Sequence, residues 1–446
     1  MPSVPRSSGP KSEEDVVGSQ KSRSTFWMLH LPTNVYLLLF FTLGKGMQLT
    51  IATLNVNYYA YSLGYHPDFI GLLSAMPALG ALVSSVPSGF LADRLGRKPV
   101  LVGTAILSPL FLAALGLITS APLLLICSFL QGAVSSAYWV TNLPLLVEST
   151  TERQRVGVLA LNSFLLLGIG SLGNLLGGAI PEFVAGVLHV SAGSTVPLRW
   201  GVLSAALCTL TFGLPLWFLR EPKRERVRAL AVTEALGAAG SVNARSGQFP
   251  IFPEKRTKEK LPIALFAKLL IPDLLFTMGE GAVVALIQIY FVLRFHLLPG
   301  PLGIIFTISG LAGGLFSLTA PLFVRRWSKI RIVTTVMYLT APLMILIGFS
   351  PTLILAVSGE YARSFMRTLI EPVYGAFAME QASDRQRATL SGFYSVTWSV
   401  GFSIGPSIAG WLQTHVNLST AFIFGACCLI ASSTLLLVFF GGRKRV

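Results

Sequence analysis

The sequence predicts an all-α membrane protein in which twelve transmembrane helices form two six-helix bundles around a central cavity. Three observations predict this fold class. The 446-residue chain is 53% hydrophobic but only 12% charged, whereas a soluble domain carries about twice that share of charged residues. Apolar runs of the length that crosses a bilayer, about 20 residues, recur twelve times. A sequence repeat then relates the first six runs to the last six.

The predicted spans follow one another with short polar connections. In order, they cover residues 34–61, 68–92, 98–119, 122–147, 156–188, 198–219, 263–293, 301–325, 331–350, 352–378, 388–414 and 418–440. Residues 1–30 are polar and rich in Ser and Pro, which predicts a disordered N-terminus rather than a cleaved signal peptide.

One long hydrophilic segment, 221–262, interrupts the apolar runs and is predicted to be a flexible linker. It separates an N-terminal bundle at 31–220 from a C-terminal bundle at 263–440. Residues 441–446 form a basic tail. We therefore expect two helical bundles joined by a single linker.

The basic residues are distributed unevenly between the two sides of the predicted bundle. Of the 34 Lys and Arg residues, 29 lie in the termini, in the loops after even-numbered spans, or at the adjoining span ends. This bias follows the positive-inside rule and predicts that both termini and the linker are cytoplasmic. The net charge of +15 is thereby explained by orientation and contact with anionic lipids, and nucleic acid is not an expected partner.

Sequence motifs for metal, cofactor or enzymatic chemistry are absent. All four cysteines lie inside predicted spans without a CxxC pair, and the five histidines lie at span ends or in loops. Neither set has the spacing of metal ligands. Because no nucleophile–base pair or phosphate-binding loop occurs either, we expect no metal, no cofactor and no enzymatic activity.

An internal repeat supports the division into two halves. VESTTERQRVGVLALNSF (147–164) recurs as MEQASDRQRATLSGFYSV (379–396), an offset of 232 residues. The same offset aligns two glycine pairs without a gap, Gly71 with Gly303 and Gly173 with Gly405. In transporters built from such repeats, ligand sites lie near the membrane midplane at the interface between them.

The loop after the second span carries a recognisable motif. GFLADRLGRKP (89–99) resembles the G-x-x-x-D-R-x-G-R-K signature of the major facilitator superfamily. Glu148 with Arg155, and Glu380 with Arg387, resemble the E-x6-R motif that some members carry after spans four and ten. The resemblance implies a secondary transporter that works by alternating access in the plasma membrane, or the inner membrane of a bacterium, as a monomer.

The resemblance also implies that these motifs latch the two halves together at the cytoplasmic side. The predicted cytoplasmic gate comprises Gly89, Asp93, Arg94, Arg97, Glu148, Arg155, Glu380 and Arg387. Gly89 is expected to let two helices approach closely, and Asp93 can pair with Arg97 one turn away. The alternative is that the basic residues only anchor the loop in the cytoplasm. Arg325 replaces Asp93 in the second half, so the predicted latch is one-sided.

Four charged residues interrupt the apolar sequence of span ten, in the segment GEYARSFMRTLIEP (359–372). They are Glu360, Arg363, Arg367 and Glu371. At 100° per residue they occupy an arc of roughly 80° and rise about 16 Å along the helix. A charge at the bilayer centre costs about 2.5–3.5 kcal/mol. We therefore expect this stripe to face a polar interior.

Two further charges occupy equivalent repeat positions in spans one and seven. TLGKG (42–46) aligns with TMGEG (277–281), which places Lys45 opposite Glu280. One interpretation is a static ladder that pairs Glu360 with Arg363, Arg367 with Glu371, and Lys45 with Glu280. The other is that Arg363 or Arg367 binds an anionic group, while Glu280 or Glu371 exchanges protons as the cavity changes sides.

Polar and aromatic residues complete the predicted cavity. They are Gln131, Trp139, Tyr394 and Trp398. Aromatic walls with a few polar groups are typical of a site for a small organic solute, and protons and membrane lipids are the other expected partners.

The subfamily stays open, because two patterns that drug–proton antiporters of this superfamily usually carry are altered. Ser128 stands where they carry an arginine in span four, and Asn174 where they carry a proline in span five. Proton-coupled drug efflux and metabolite transport are both compatible with the sequence. A lysolipid flippase of the same fold and a non-transporting sensor are the alternatives.

Overall fold

The computed structural model describes residues 31–220, 263–317 and 327–441, and within these ranges the chain is helical with no β-strand. The first half comprises α1 (Thr33–Ser62), α2 (Pro67–Leu95), α3 (Arg97–Leu117), α4 (Ala121–Glu148), α5 (Glu152–Ser163 and Leu172–Leu188) and α6 (Thr195–Gly213). The second half comprises α7 (Ile263–Val284 and Ile287–Phe295), α8 (Pro299–Ser317), α9 (Lys329–Phe349), α10 (Leu353–Gln381), α11 (Asp384–His415) and α12 (Thr420–Phe440). The predicted N-terminal tail, linker and C-terminal tail, and Arg325, lie outside the described residues.

Two helices are interrupted along their length. In α5 a π-turn at Phe164–Gly168 and a 3₁₀ turn at Ile169–Ser171 join the two α-helical segments. In α7 the break falls at residues 285–286, five residues after Glu280. Such interruptions free backbone groups that neighbouring side chains must satisfy, and the Asn57 side chain of α1 donates a hydrogen bond of 2.8 Å to the Ala285 carbonyl.

Ten of the described helices are long and apolar enough to cross a membrane, which confirms the predicted polytopic class. The other two are α10 and α11, which have 29 and 32 residues. At 1.5 Å per residue they are about 43 and 48 Å long, enough to cross a bilayer. Their composition is more polar, because α10 carries the four charges and α11 is rich in Ser, Thr and Gly. Twelve spans therefore stay a prediction.

Glycines allow the tightest helix crossings within each half. In the first half, a Cβ at Gly173 of α5 would collide with the Met47 carbonyl of α1. In the second half, a Cβ at Gly405 of α11 would collide with the Met278 carbonyl of α7. The repeat thus places equivalent glycines at equivalent crossings, where only a residue without a side chain lets the backbones approach so closely.

The same symmetry governs the contacts between the halves. A Cβ at Gly71 of α2 would lie 3.0 Å from the Gly410 Cα of α11. Its repeat equivalent, a Cβ at Gly303 of α8, would lie 3.2 Å from the Gly178 Cα of α5. The α2–α11 and α5–α8 interfaces are therefore two copies of one packing arrangement.

Two hydrogen bonds extend this symmetry at the end of the bundle opposite Leu31 and Gly441, which we call the distal end. The Gly300 N–H, in the first turn of α8, donates to Glu182 Oε1 of α5 at 3.0 Å. The Asp68 N–H, in the first turn of α2, donates to Thr414 Oγ1 of α11 at 2.9 Å. Because the first N–H groups of a helix lack partners within it, each half caps a helix of the other. We call these bonds the reciprocal caps.

Candidate functional site

A buried charge cluster joins α10 to α7. The Arg363 guanidinium donates to both carboxylate oxygens of Glu360, through Nε at 2.7 Å and Nη2 at 2.9 Å. Its Nη1 donates to Glu280 Oε2 at 2.9 Å. All three side chains are at most 3% exposed. Arg363 therefore uses its planar fork to hold two carboxylates at once.

Glu280 is the centre of this cluster. Its Oε2 also lies 3.4 Å from Nε of Arg367, whose side chain is 33% exposed. Its Oε1 is buried and has no hydrogen-bond partner among the described residues. An unsatisfied buried carboxylate oxygen is costly, so it is a place where a proton or a solute donor can bind.

The sequence around Glu280 explains how it comes to point at α10. A Cβ at Gly279 would lie 2.8 Å from the Cys428 Cβ of α12, and a Cβ at Gly281 would lie 3.2 Å from the Gly401 carbonyl of α11. The two glycines thus place α7 tightly against α11 and α12. Successive side chains of a helix point about 100° apart. The Glu280 side chain, which lies between the two glycines in sequence, therefore points toward α10.

Lys45 occupies a different kind of site in the first half. Its Nζ donates to Ser135 Oγ of α4 at 3.0 Å and to Ser108 Oγ of α3 at 3.4 Å. It lies 5.9 Å from the centre of the Tyr138 ring. Lys45 is only 4% exposed, and none of the described carboxylates forms an ion pair with it. It is thus a buried amine surrounded by neutral groups.

These contacts correct two pairings of the predicted ladder. The partners of Lys45 are serines of its own half rather than Glu280. Arg367 approaches Glu280 rather than Glu371, and Glu371 is exposed. The third pairing, Glu360 with Arg363, is present. Both it and the pairing of Arg367 with Glu371 are compatible with helix spacing, so spacing alone did not decide which pair forms.

A second carboxylate of α7 lies nearer the start of that helix. Asp273 is 6% exposed and accepts a hydrogen bond from the Thr397 hydroxyl of α11. Glu371 of α10 lies within electrostatic range of it. The two carboxylates form a group separate from the Glu280 cluster. Thr397 and Ser135 are site residues that the sequence analysis missed.

The predicted cavity residues lie on two helices. Gln131 and Trp139 of α4 are eight residues apart with Ser135 between them, so all three share one helix face, and Gln131 Nε2 donates to Ser135 Oγ at 3.2 Å. Trp398 of α11 is 43% exposed and stacks on Phe402 at 4.7 Å.

Tyr394, one turn before Trp398, packs edge-on against Tyr374 at 5.9 Å. Among the described ring contacts, none joins the aromatic residues of α4 to those of α11.

The predicted gate residues form two ion pairs that obey the repeat. Arg97 at the start of α3 pairs with Glu148 at the end of α4. Lys329 at the start of α9 pairs with Glu380 at the end of α10. Arg97 and Lys329 are 232 residues apart in sequence, and so are Glu148 and Glu380. Each pair joins neighbouring helices of one half, so these two contacts are not a latch between the halves.

The remaining predicted gate residues differ in exposure and packing. A Cβ at Gly89 would meet only Val140, at an ordinary 3.8 Å, so the expected close approach there is wrong. The tight α2–α4 crossing instead involves Gly132, whose added Cβ would lie 2.5 Å from the Pro77 carbonyl carbon.

Asp93 and Arg94 are exposed at the end of α2. Arg155 is half-buried, and Arg387 Nε donates to the Met379 carbonyl at 3.0 Å.

The fold defines the class as a polytopic helical membrane protein with charges buried between its helices. The family model of the Major Facilitator Superfamily matches residues 36–359 and 274–446. The chain therefore belongs to the Major Facilitator Superfamily, as the loop motif and the E-x6-R motifs predicted. It is a multi-pass membrane protein of a family of transporters.

Several known proteins resemble the chain over most of its length. The Quinolone resistance protein NorA of Staphylococcus aureus (strain MSSA476) is 25% identical over 384 residues, which cover 84% of this chain and 89% of NorA. The nucleoside transporter NupG superposes with a TM-score of 0.66 at 15% identity, covering 93% of this chain and 100% of NupG. A partially occluded inward-open structure of the xylose transporter XylE from E. coli gives 0.67 at 14% identity, with 92% and 100% covered.

Proposed function

We propose that the protein is a secondary active transporter that exports a small organic solute in exchange for protons. The observation that carries this proposal is Glu280, a buried carboxylate with one oxygen held by arginines and the other without a partner among the described residues. Intramembrane carboxylates are expensive and commonly serve proton movement. The similarity to NorA over 84% of the chain favours export of drug-like compounds over uptake of a metabolite.

The two arginines of α10 have different parts in this mechanism. Arg363 keeps two hydrogen bonds to Glu360 whatever the state of Glu280. Arg367 is partly exposed and has only the longer contact with Glu280. A proton on Glu280 Oε1 removes the charge that attracts Arg367, so Arg367 is released first. Arg363 is thus the fixed partner and Arg367 the movable one.

The architecture that we propose has twelve spans, with α10 and α11 crossing alongside the other ten, in two six-helix bundles joined by a cytoplasmic linker. Both termini lie in the cytoplasm, and the distal end is extracellular. The reciprocal caps and the α2–α11 and α5–α8 glycine contacts hold the halves together toward the distal end. This arrangement supports a conformation that is closed on the extracellular side.

Transport by the full chain in liposomes tests the proposal. With an acidic lumen, we expect accumulation of a zwitterionic quinolone or a lipophilic cation together with release of protons. Glu280→Gln is expected to abolish gradient-driven accumulation but to retain exchange of labelled for unlabelled solute. Gradient-driven accumulation by Glu280→Gln would refute the coupling role.

The same liposomes separate the alternative functions. Movement of a fluorescent lysolipid between leaflets, without flux of any soluble compound, would indicate a flippase. Saturable binding without flux of the bound compound would indicate a sensor. Either result would replace the proposed exchange of a solute for protons.

A further inference from the structure

We propose that Lys45, with the donors around it on α4, binds the anionic group of the transported solute, so that the substrates are organic carboxylates or zwitterions. This inference rests on the proposed transport function and specifies its substrate class. The anion-binding role, which the sequence pattern favoured for Arg363 or Arg367, is thereby assigned to Lys45.

The buried charges of the two halves are balanced differently. Glu280, Glu360, Arg363 and Arg367 form a neutral cluster in which every charge has an opposite partner. Among the described residues, the polar partners of the Lys45 amine are two serine hydroxyls and one aromatic face. A buried charge without a counter-charge is strongly unfavourable, and an incoming carboxylate supplies that counter-charge.

The hydrogen bonds at Ser135 leave donors available beside Lys45. Ser135 Oγ accepts from both Lys45 Nζ, at 3.0 Å, and Gln131 Nε2, at 3.2 Å. Its own hydroxyl hydrogen therefore remains available as a donor. An ammonium, a hydroxyl and an amide N–H thus converge within one turn of α4. Such a set of donors suits a carboxylate and repels a cation.

The two arginines of α10 are less suited than Lys45 to bind a solute anion. Three of the five N–H groups of Arg363 already donate to two carboxylates, so its charge is compensated before any solute anion arrives. Arg367 is more accessible, but its nearest charge is Glu280, which repels an anion as long as it is ionised. Lys45 is the intramembrane cation for which no described carboxylate competes.

The surroundings also indicate the shape of the solute. Trp139 follows Ser135 by one turn of α4 and is 53% exposed, so an aromatic face stands beside the donors. Glu280, the repeat equivalent of Lys45, has a carboxylate oxygen without a described partner in the other half. A solute with an aromatic body, a carboxylate and a hydrogen-bond donor or amine at the other end complements all three features.

Binding of one matched pair of compounds tests the inference. The probes are the zwitterionic quinolone of the transport assay and its methyl ester, titrated into purified full-length protein in detergent. We expect wild type to bind the acid more tightly than the ester. Lys45→Met should weaken binding of the acid by about 10- to 100-fold, the range for losing a charge-assisted hydrogen bond, and should leave the ester unaffected. Lys45→Arg, which keeps the charge, should restore most of the preference for the acid.

The outcomes separate this inference from the proposed function. If wild type binds neither compound but still accumulates a lipophilic cation in liposomes, the anion site is refuted and the proposed export stands. If wild type binds acid and ester equally and Lys45→Met changes neither, only the anion site is refuted. Equal losses for acid and ester in Lys45→Met would show a structural role instead. Loss of the acid preference in Arg367→Met but not in Lys45→Met would place the anion at the arginine, which also overturns the inference.

Discussion

The two halves have the same arrangement of helices but differ in whether their buried charges have opposite charges beside them. In the second half, Glu280 and Arg363 belong to a cluster whose charges cancel in place. In the first half, Lys45 occupies the equivalent position with only hydroxyls and a ring as its described partners. The duplication has thus kept the helix crossings and changed the chemistry between them. The first half therefore buries a cation without a described counter-charge, whereas the second half pairs its buried charges.

The helix interruptions differ between the halves as well. In the first half α1 is continuous over 30 residues, whereas its equivalent α7 breaks at residues 285–286. Conversely, α5 contains the π-turn at Phe164–Gly168, whereas its equivalent α11 is one uninterrupted helix. Each half thus has one irregular helix beside its buried charge. π-Turns and broken helices are common at functional sites.

The largest effect is expected from removing the central arginine of the neutral cluster. Arg363→Met leaves Glu280 and Glu360 buried without their main partner, which should destabilise the fold by about 3–5 kcal/mol. The measurement is the thermal unfolding midpoint of purified protein, where we expect a large fall. In the double variant Glu360→Met/Arg363→Met the remaining charges are one acid and one base, so part of the stability should return. Equal midpoints for both variants would contradict the neutral cluster.

The matched change in the first half should have the opposite sign. Lys45→Met replaces a buried amine that has no described counter-charge with an apolar side chain of similar length. Because burying an uncompensated charge is costly, the unfolding midpoint should stay equal to that of wild type or rise. A fall in the midpoint as large as that of Arg363→Met would show that the two halves do not differ in how their buried charges affect stability.

A smaller effect, equal in the two halves, is expected at the repeated glycine crossings. Gly173→Ala and Gly405→Ala each place a Cβ against a backbone carbonyl, and overpacking of this kind costs about 1–3 kcal/mol. Gly186→Ala in α5 and Gly392→Ala in α11 are the controls, because a Cβ there meets nothing within 4 Å. Unfolding midpoints should fall in the first two variants and not in the controls. A loss confined to one half would show that the crossings are not equivalent.

The smallest effect is expected at the two repeated ion pairs. Glu148→Gln and Glu380→Gln each remove a partly exposed carboxylate, and such pairs contribute about 0–1 kcal/mol. Double-mutant cycles with Arg97→Gln and Lys329→Gln should give similar small couplings that decrease with salt. A coupling several times larger in one pair would show that the two halves differ at this end also.

The sequence predicted several features that depend on local spacing or on the repeat, although the local pairing of Arg367 with Glu371 was not one of them. Helix positions, the Glu360–Arg363 pair and the equivalence of Gly71 with Gly303 all follow from periodicity or from the offset of 232 residues. The partners of Lys45 could not be predicted, because they depend on how α1 packs against α3 and α4. Repeat equivalence with Glu280 suggested a partner across the halves, whereas packing supplied two serines from the same half.

Gly89 illustrates a second limit of the sequence. A glycine in a family motif indicates close helix packing only if a neighbouring backbone lies beside it, and here the nearest group is a valine side chain at 3.8 Å. The glycines at the tight α2–α4 crossing are Gly80 and Gly132, and both lie outside that motif. Ser135 could have been found by its spacing, since it lies one turn from both Gln131 and Trp139.

The reciprocal caps have a consequence for the way the two halves recognise each other. An interface in which each partner presents the same patch, so that every contact occurs twice, is the isologous interface of a twofold homodimer. The Glu182–Gly300 and Thr414–Asp68 bonds have this form within one chain. Contacts that occur twice therefore support the mutual orientation of the halves alongside their covalent connection. Two separate six-helix subunits with these caps and the α2–α11 and α5–α8 glycine contacts would present complementary surfaces to each other.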